Sequence, residues 1–147
     1  MPRPVREMVD AIQTAVSSGN IDDLRTPFEW NELPPSVADE KVSDPIAHWR
    51  KQSRDGEGRE ILAILADLLS LGATRLPIGR DPENSGVYVW PYMAELPLDK
   101  LTPQQIVELY RIVPAEKAAE MQKQGTWTWY RLVIGADGTW HSFMEHP

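Results

Sequence analysis

The stretch from Glu57 to Leu71 constrains the fold of this chain more than any other part of its sequence. Its aliphatic side chains recur at helical spacing and cover about half of a helical wheel, and Gly72 provides a stop. A helix with so wide an apolar face has to be covered there, so the stretch predicts the central helix of a hydrophobic core. The aliphatic residues are Ile61, Leu62, Ile64, Leu65, Leu68, Leu69 and Leu71.

Helices and strands mix along the rest of the chain. Further helices are predicted over Pro4–Ser18, Asp44–Gln52, Thr102–Val113 and Pro114–Gln124, with a helical turn at Ile21–Arg25. Strands are predicted over Ala73–Ile78, Gly86–Trp90, Thr126–Ile134 and Thr139–Glu145, with a turn-rich connection over Gly79–Ser85. We therefore expect one α+β domain over residues 1–147, in which an antiparallel sheet of about four strands packs with about five helices.

The segment from Phe28 to Ser36 is typical of an extended connection, because its two consecutive prolines disfavour helix. Its large apolar side chains, Phe28, Trp30 and Leu33, are expected to pin it to the core. Further along, Pro91 limits the second strand, which we place near an edge or an end of the sheet.

The last two strands are predicted to form a hairpin, because Gly135-Ala136-Asp137-Gly138 suits a type I turn with glycine in the left-handed position. This turn pairs Gly135 with Thr139, and the register that follows gives the hairpin two different faces. The core face carries the opposed pairs Ile134–Trp140, Leu132–Ser142 and Tyr130–Met144. The second face carries Trp127, Trp129, Arg131 and Val133 against His141, Phe143 and Glu145.

The second face mixes aromatic, cationic and titratable groups, as ligand-binding surfaces often do. The structural alternative is that helices cover this face too, with Arg131 paired to Glu145, because aromatic residues commonly fill sheets. The candidate binding residues are Trp90, Tyr92, Trp127, Trp129, Arg131 and His141.

The chain carries 22 acidic and 15 basic residues, for a formal net charge of −7. Its densest basic run, Arg50, Lys51 and Arg54, is followed directly by acidic residues, so the sequence predicts no nucleic-acid binding. Acidic side chains also gather between Asp22 and Asp44. A solvated face is the usual meaning of such an excess, and attraction of a basic partner is the alternative.

No catalytic, metal-binding or nucleotide-binding motif stands out in the sequence. The chain has no cysteine, and His48, His141 and His146 are not spaced as metal ligands. Gly56-Glu57-Gly58 lacks the third glycine of a dinucleotide fingerprint and the Lys-Ser/Thr of a P-loop. His48 and Asp44 share a helical face, where a hydrogen bond is the simpler role and a catalytic or metal pair the alternative. The sequence therefore predicts no cofactor and no metal.

No apolar run approaches the length of a membrane span, and Met1 leads into an amphipathic helix in place of a signal peptide. We therefore expect a soluble protein without a membrane span. Its location would be the cytoplasm or, if a leader has been removed, an exported compartment.

Three groups of residues stand out as a set: Asp44–Trp49 with Gly56–Leu69, Val87–Leu98, and Trp129–Phe143. Together they resemble an uncharacterised bacterial family, some of whose members are exported, and the similarity would span about two thirds of the chain. The resemblance implies a bacterial origin. It names no activity and therefore assigns no catalytic residue.

These observations favour a non-enzymatic binding or interaction domain, whose partner is an unidentified protein or small-molecule ligand held on the hairpin surface. The alternative is a small-molecule enzyme or carrier. In that case the sheet and helices enclose an apolar, cone-like pocket in which His141 acts as an acid or base.

A stripe of small residues, Ala63, Ala66 and Ser70, lies opposite the leucines of the Glu57–Leu71 helix. Small residues let another helix approach closely, and we expect the N-terminal helix to dock there. The same helix of a second subunit is the alternative occupant. The chain is thus expected to be a monomer or a weak dimer.

Overall fold

The computed structural model describes residues 1–77 and 86–145. Six α-helices and one four-stranded sheet lie in these ranges, which confirms the predicted α+β class. The helices are α1 (Arg3–Ser18), α2 (Arg25–Glu29), α3 (Pro45–Gln52), α4 (Arg59–Leu69), α5 (Pro103–Ile112) and α6 (Ala115–Gln124). The strands are β1 (Thr74–Leu76), β2 (Val87–Trp90), β3 (Tyr130–Gly135) and β4 (Trp140–Glu145). The predicted strand end at Ile78, the predicted connection 79–85 and His146 lie outside the described residues.

The four strands form an antiparallel meander in the order β1–β2–β3–β4. Pro91 directly follows the last residue of β2 and limits the strand as predicted, but β2 is an inner strand, so its predicted place near an edge of the sheet is wrong. α1 and α4 contact β3 and each other. The central role predicted for α4 is confirmed, because its buried side chains are Ile61, Leu62, Leu65 and Leu68.

Two helices begin directly after the residues that were predicted to cap them. Asp44 Oδ1 accepts a hydrogen bond from the Ala47 N–H at 3.2 Å, directly before α3. Thr102 and Gln105 form a reciprocal capping box at the start of α5. Local sequence therefore sets both boundaries.

α4 begins at Arg59, and not at Glu57 as predicted, because the chain turns sharply just before it. Gly58 has a φ of 79°, a left-handed conformation that favours glycine. A Cβ atom at Gly58 would also lie 2.5 Å from Ile21 Cδ1. The second glycine of Gly56-Glu57-Gly58 therefore serves a close turn in the fold.

An aromatic cluster joins α2 and α3 to the β3–β4 hairpin. The rings of Trp49 and Trp140 stack with centroids 5.8 Å apart, and Phe143 meets Trp49 edge-on at 5.7 Å. Phe28 of α2 packs against both tryptophans, and Tyr130 packs against Phe143. The cluster is the interior of the protein at this end, because Trp49, Trp140 and Phe143 are at most 1% exposed.

The turn of the β3–β4 hairpin forms as predicted. Gly135 N–H donates to Thr139 O at 2.8 Å, and Gly138 has a φ of 90°. Ile134 lies opposite Trp140, which is the first pair of the predicted register.

Beyond this pair the register differs from the prediction. The next pairs are Val133–Ser142, Leu132–Phe143, Arg131–Met144 and Tyr130–Glu145. β4 therefore carries one extra residue, a β-bulge at His141. The predicted pairs Leu132–Ser142 and Tyr130–Met144 are wrong.

Because of the bulge, the residues that follow it in β4 point to the face of the sheet opposite to the one predicted. Phe143, predicted on the second face, is fully buried, whereas Ser142 and Met144, predicted in the core, are half-buried. Trp140 and Phe143 are three positions apart, so in a regular strand they would point to opposite faces. One inserted residue lets both rings enter the aromatic cluster, which explains the bulge physically.

The segment that follows α2 lies along the outer edge of β4. The Asn31 side chain binds the Trp140 backbone twice, since Nδ2 donates to Trp140 O at 2.8 Å and Oδ1 accepts from Trp140 N–H at 3.0 Å. Ser36 N–H donates to His141 O at 2.9 Å, and Ser36 O accepts from Phe143 N–H at 3.0 Å. These bonds occupy backbone groups that an edge strand otherwise leaves open to pairing.

Hydrogen bonds to β4 therefore hold this segment. Of the three large apolar side chains predicted to pin it to the core, only one does so. Phe28 packs against the core as predicted. Trp30, however, is 56% exposed and Leu33 is 77% exposed. The prediction for Trp30 and Leu33 is wrong because Asn31 and Ser36 fix the backbone while both apolar side chains face the solvent.

The stripe of small residues on α4 is not covered as predicted. Ala63 and Ser70 are exposed, and only Ala66 is half-buried. α1 contacts α4, but its buried side chains enter the core that contains the α4 leucines. Burial of aliphatic side chains is the stronger driving force, so it decides where α1 lies.

The observed register predicts that substitutions at two neighbouring residues, Phe143 and Met144, lower the free energy of unfolding by different amounts. Phe143→Ala removes a fully buried ring, and we expect the free energy of unfolding to fall by about 3–5 kcal/mol. Met144→Ala acts at a half-buried position and should lower it by less than about 2 kcal/mol. Urea denaturation of both variants measures the difference. A larger loss for Met144→Ala would contradict the bulge.

Candidate functional site

The six candidate binding residues do not form one accessible patch. Trp90 and Trp127 are only 3% and 7% exposed and belong to the hydrophobic core. Trp90 lies opposite the buried Leu132 in the sheet and shares its face. Trp127 Nε1 donates to the Tyr130 carbonyl at 3.1 Å, so its polar group is satisfied inside the protein. Neither ring is accessible to a partner in this structure.

Tyr92 and Arg131 fasten a 3₁₀ turn, Tyr92–Glu95, to its neighbours. Arg131 Nη1 donates to Glu95 Oε1 at 2.6 Å, and the two side chains are 30% and 23% exposed. Tyr92 OH donates to Glu108 Oε1 of α5 at 3.0 Å. The partner of Arg131 is thus Glu95, and not the Glu145 of the structural alternative.

Trp129 is half-buried, and its ring meets Tyr130 edge-on with centroids 5.3 Å apart. Its indole Nε1 and the Nε of Arg131 are buried and have no hydrogen-bond partner among the described residues. Of the predicted patch, these two positions have hydrogen-bonding capacity left over.

His141 stands apart from these residues, close to the hairpin turn. The bulge leaves its side chain exposed. A Cβ atom on Gly135 would lie 2.7 Å from His141 Nε2 and 2.9 Å from Asp137 Oδ1, so the glycine makes room for both side chains. The Asp137 carboxylate accepts a hydrogen bond from Thr139 N–H at 2.9 Å. This bond, with a contribution from the nearby imidazole, holds the pKa of Asp137 below its usual range.

A hollow of about 550 Å³ opens beside His141. The hairpin turn forms one wall, and Trp30, Leu33 and Pro34 belong to the other. Large hydrophobic side chains with high exposure are few in the described part of the chain: Met1, Trp30, Leu33, Val107 and Tyr110. Two of them meet in this hollow, and clustered exposed apolar surface is a common sign of a binding site.

Two further hollows continue the first along the surface. One of about 220 Å³ shares Trp30, Asp137 and Thr139 with it. Another of about 410 Å³ shares Leu33 and Pro34 and extends along residues 35–43. The three neighbouring hollows are together called the Trp30 groove below, which is defined by Trp30, Leu33, Pro34, Asp137 and His141.

The Trp30 groove is acidic. The carboxylates of Glu32, Glu40 and Asp137 line it, against the single lysine Lys41. None of these three carboxylates forms a salt bridge with any residue in the ranges 1–77 and 86–145. A fourth carboxylate, on Glu7, is already paired with an arginine.

The ends of the acidic segment have structural roles instead. Asp22 binds Arg50 Nη2 at 2.7 Å, and this contact lowers the pKa of the Asp22 carboxyl. Asp44 caps α3. Within the acidic segment, the carboxylates at the two ends therefore bind other parts of the chain, whereas Glu32 and Glu40 line the groove.

Sequence reasoning missed Trp30 and Leu33 as surface residues. A signal was present, because the acidic residues Glu29 and Glu32 flank them in a stretch that contains two prolines. That composition is more typical of a surface loop than of a core segment.

The remaining candidate sites of the sequence analysis are not assembled. Asp44 caps α3, and its backbone carbonyl accepts a hydrogen bond from the His48 N–H at 3.1 Å. Among the described residues no hydrogen bond joins their side chains, and His48 Nε2 has no partner there. No group of three or more His, Asp or Glu side chains among the described residues could hold a metal ion. No helix in residues 1–77 and 86–145 is long and apolar enough to cross a membrane.

The alternative of an enclosed pocket beside His141 finds no support in this geometry. The described strands form a meander that does not close into a cone, and the hollow beside His141 opens to the solvent.

The bond between Tyr92 and Glu108 makes stability sensitive to high pH. Partial burial, with the hydrogen bond to Glu108, raises the pKa of the Tyr92 phenol to about 12. In the unfolded chain a tyrosine has a pKa of about 10. The unfolded chain therefore releases this proton first, so the contribution to stability is complete below about pH 10 and is lost as the pH rises toward about 12.

Urea midpoints measured across this pH interval test the effect. The midpoint should fall more steeply for the wild-type protein than for Tyr92→Phe. Tyr110→Phe removes an exposed phenol from α5 and should keep the wild-type slope. Parallel slopes for wild type and Tyr92→Phe would show that the pKa is not raised.

Comparison with known proteins does not assign the chain to a family. No family model matches it, and neither a curated protein nor a solved structure matches it significantly. The resemblance to an uncharacterised bacterial family stays a prediction, and function has to be argued from the geometry.

Proposed function

We propose that this chain is a non-enzymatic binding domain that captures an extended, basic segment of a partner protein in the Trp30 groove. The observation that carries the proposal is that two strongly exposed apolar side chains, Trp30 and Leu33, line the same hollow together with acidic side chains. Of the hairpin residues predicted to bind, His141 belongs to this groove.

The shape of the groove favours a peptide over a compact ligand. It continues through three adjoining hollows, and an extended chain that advances about 3.3 Å per residue contacts such hollows in turn. Pro34 and Pro35 stiffen one wall, because proline fixes its own backbone torsion. A stiff wall loses little conformational entropy when a partner binds.

Trp30 and Leu33 supply the apolar anchors. Buried apolar area contributes about 25 cal/mol per Å², and tryptophan is prominent among residues that dominate interfaces. The bonds of Asn31 and Ser36 to β4 hold the backbone on both sides of Leu33. The anchors are thus presented before binding and need no rearrangement.

Charge selects the partner. Glu32, Glu40 and Asp137 attract lysine and arginine side chains and repel acidic segments. The lowered pKa of Asp137 keeps its charge near neutral pH. The domain as a whole carries a net charge of −7, which adds to the attraction.

Selection from a random peptide library displayed on phage, with the domain immobilised, tests the proposal. The enriched peptides should combine lysine or arginine with an apolar residue, and their affinity should fall as salt is added. Trp30→Ala and Leu33→Ser should each weaken binding by about tenfold or more, because truncation of a central anchor commonly costs at least about 1.4 kcal/mol.

Two exposed residues of α5 provide matched controls. Tyr110→Ala and Val107→Ser change side chains that are 50% and 61% exposed and lie outside the groove. Both variants should bind the selected peptides as the wild type does. Enrichment of acidic or uncharged peptides, or an equal loss in the α5 variants, would overturn the proposal.

A further inference from the structure

A second cavity, of about 500 Å³, lies between α3 and α6. Residues 37–40 form one part of its wall and share Val37 and Glu40 with the Trp30 groove, while side chains of α3 and α6 with Thr128 and Glu145 form the rest. Its volume is in the range that small-molecule sites occupy. Nothing in the proposed capture of a peptide requires this cavity.

A buried hydroxyl group is left without a partner in its wall. Thr128 is 8% exposed, and its Oγ1 has no hydrogen-bond partner among the described residues. Its backbone N–H is satisfied, because it donates to Met121 Sδ at 3.1 Å. Buried polar groups in proteins are nearly always hydrogen-bonded, so this hydroxyl points to a ligand group that completes its bonds.

A second unpaired group comes from α3. His48 lines the same cavity, and its Nε2 is buried without a partner in the described ranges. Gln52 of α3 and Gln124 of α6 add amide groups that donate and accept hydrogen bonds. The cavity therefore offers several polar contacts to one bound molecule.

The charge of the lining indicates the charge of that molecule. The lining contains one lysine, Lys117, and four carboxylates. None of the four carboxylates forms a salt bridge with a described residue. A metal ion does not fit, because no group of three His, Asp or Glu side chains in those ranges is close enough to ligate one. The carboxylates are those of Asp39, Glu40, Glu120 and Glu145.

We propose that this cavity binds a small organic cation that carries a primary ammonium group together with hydroxyl or further amine groups. The ammonium lies among the carboxylates, where it gains charge-assisted hydrogen bonds. The other polar groups of the ligand bond to Thr128 and His48. Amino sugars and aliphatic polyamines share this chemistry.

Binding of three probes, followed by NMR titration of the backbone amides, tests the proposal and separates the two ligand sources. Glucosamine represents amino sugars, spermidine represents polyamines, and glucose is the neutral counterpart of glucosamine. Glucosamine or spermidine should shift the amide signals around Thr128 in a saturable way. Glucose should bind at least about tenfold more weakly, since it lacks the charge-assisted bonds.

Thr128→Val gives two readouts of opposite direction. It should weaken binding of the ammonium probe about fivefold to tenfold, because one hydrogen bond is lost. It should also raise Tm, because a methyl group replaces a buried hydroxyl without a partner. Thr126→Val is the matched control at an exposed position and should change neither quantity.

Glu120→Gln tests the charge without altering the interior. It should weaken binding of the ammonium probe and reduce the salt dependence of that binding. Glu116→Gln, on the same helix but outside the cavity lining, should change neither quantity. Trp30→Ala should leave probe binding unchanged, which keeps this site distinct from the peptide groove. Absence of saturable binding by both ammonium probes, equal affinity for glucose, or full affinity in Glu120→Gln would overturn the proposal.

Discussion

The ring of Trp140 stacks on Trp49 in the interior, while Asn31 binds the Trp140 backbone from outside. The other features of this end of the molecule depend on that double attachment. Through the ring, β4 is joined to α3, and through the backbone it is joined to the segment after α2. Phe143 must enter the same aromatic cluster, and the bulge at His141 is what permits both rings to face inward.

The same arrangement creates the Trp30 groove, which we propose as the binding surface. Because the bulge leaves His141 outside, one wall of the Trp30 groove carries an imidazole beside the Asp137 carboxylate. Because Asn31 and Ser36 fix the opposite wall with backbone bonds, Trp30 and Leu33 are free to remain exposed. Burial in the core and presentation at the surface are thus two results of one packing requirement.

Much of the fold is readable from local sequence. The caps at Asp44 and Thr102 and the hairpin turn at Gly135 act over a few residues, so residue type alone predicts them. The apolar face of α4 is equally local. The bulge is different, because the register past the turn depends on where Phe143 finds space among rings from distant parts of the chain.

The residues of the proposed site are harder to predict for the same reason. Whether an aromatic residue is exposed depends on what covers it, and periodicity does not reveal the cover over Trp90 and Trp127. Trp30 was assigned to the core on hydrophobicity, although a polar side chain next to it in sequence, Asn31, holds the backbone. The Thr128 hydroxyl, which has no partner among the described residues, is invisible in sequence, because a missing partner is a property of the folded surroundings.

Native-state hydrogen exchange at the backbone amides of Trp140 and Phe143 tests most directly whether the segment after α2 is fastened to β4. Both amides lie on the outer edge of the sheet, yet their acceptors are Asn31 Oδ1 and the Ser36 carbonyl. We predict that both exchange slowly, on the scale set by global unfolding, and that Asn31→Ala removes the protection of Trp140 alone. Exchange of both wild-type amides at the rate of an unprotected peptide would contradict the account.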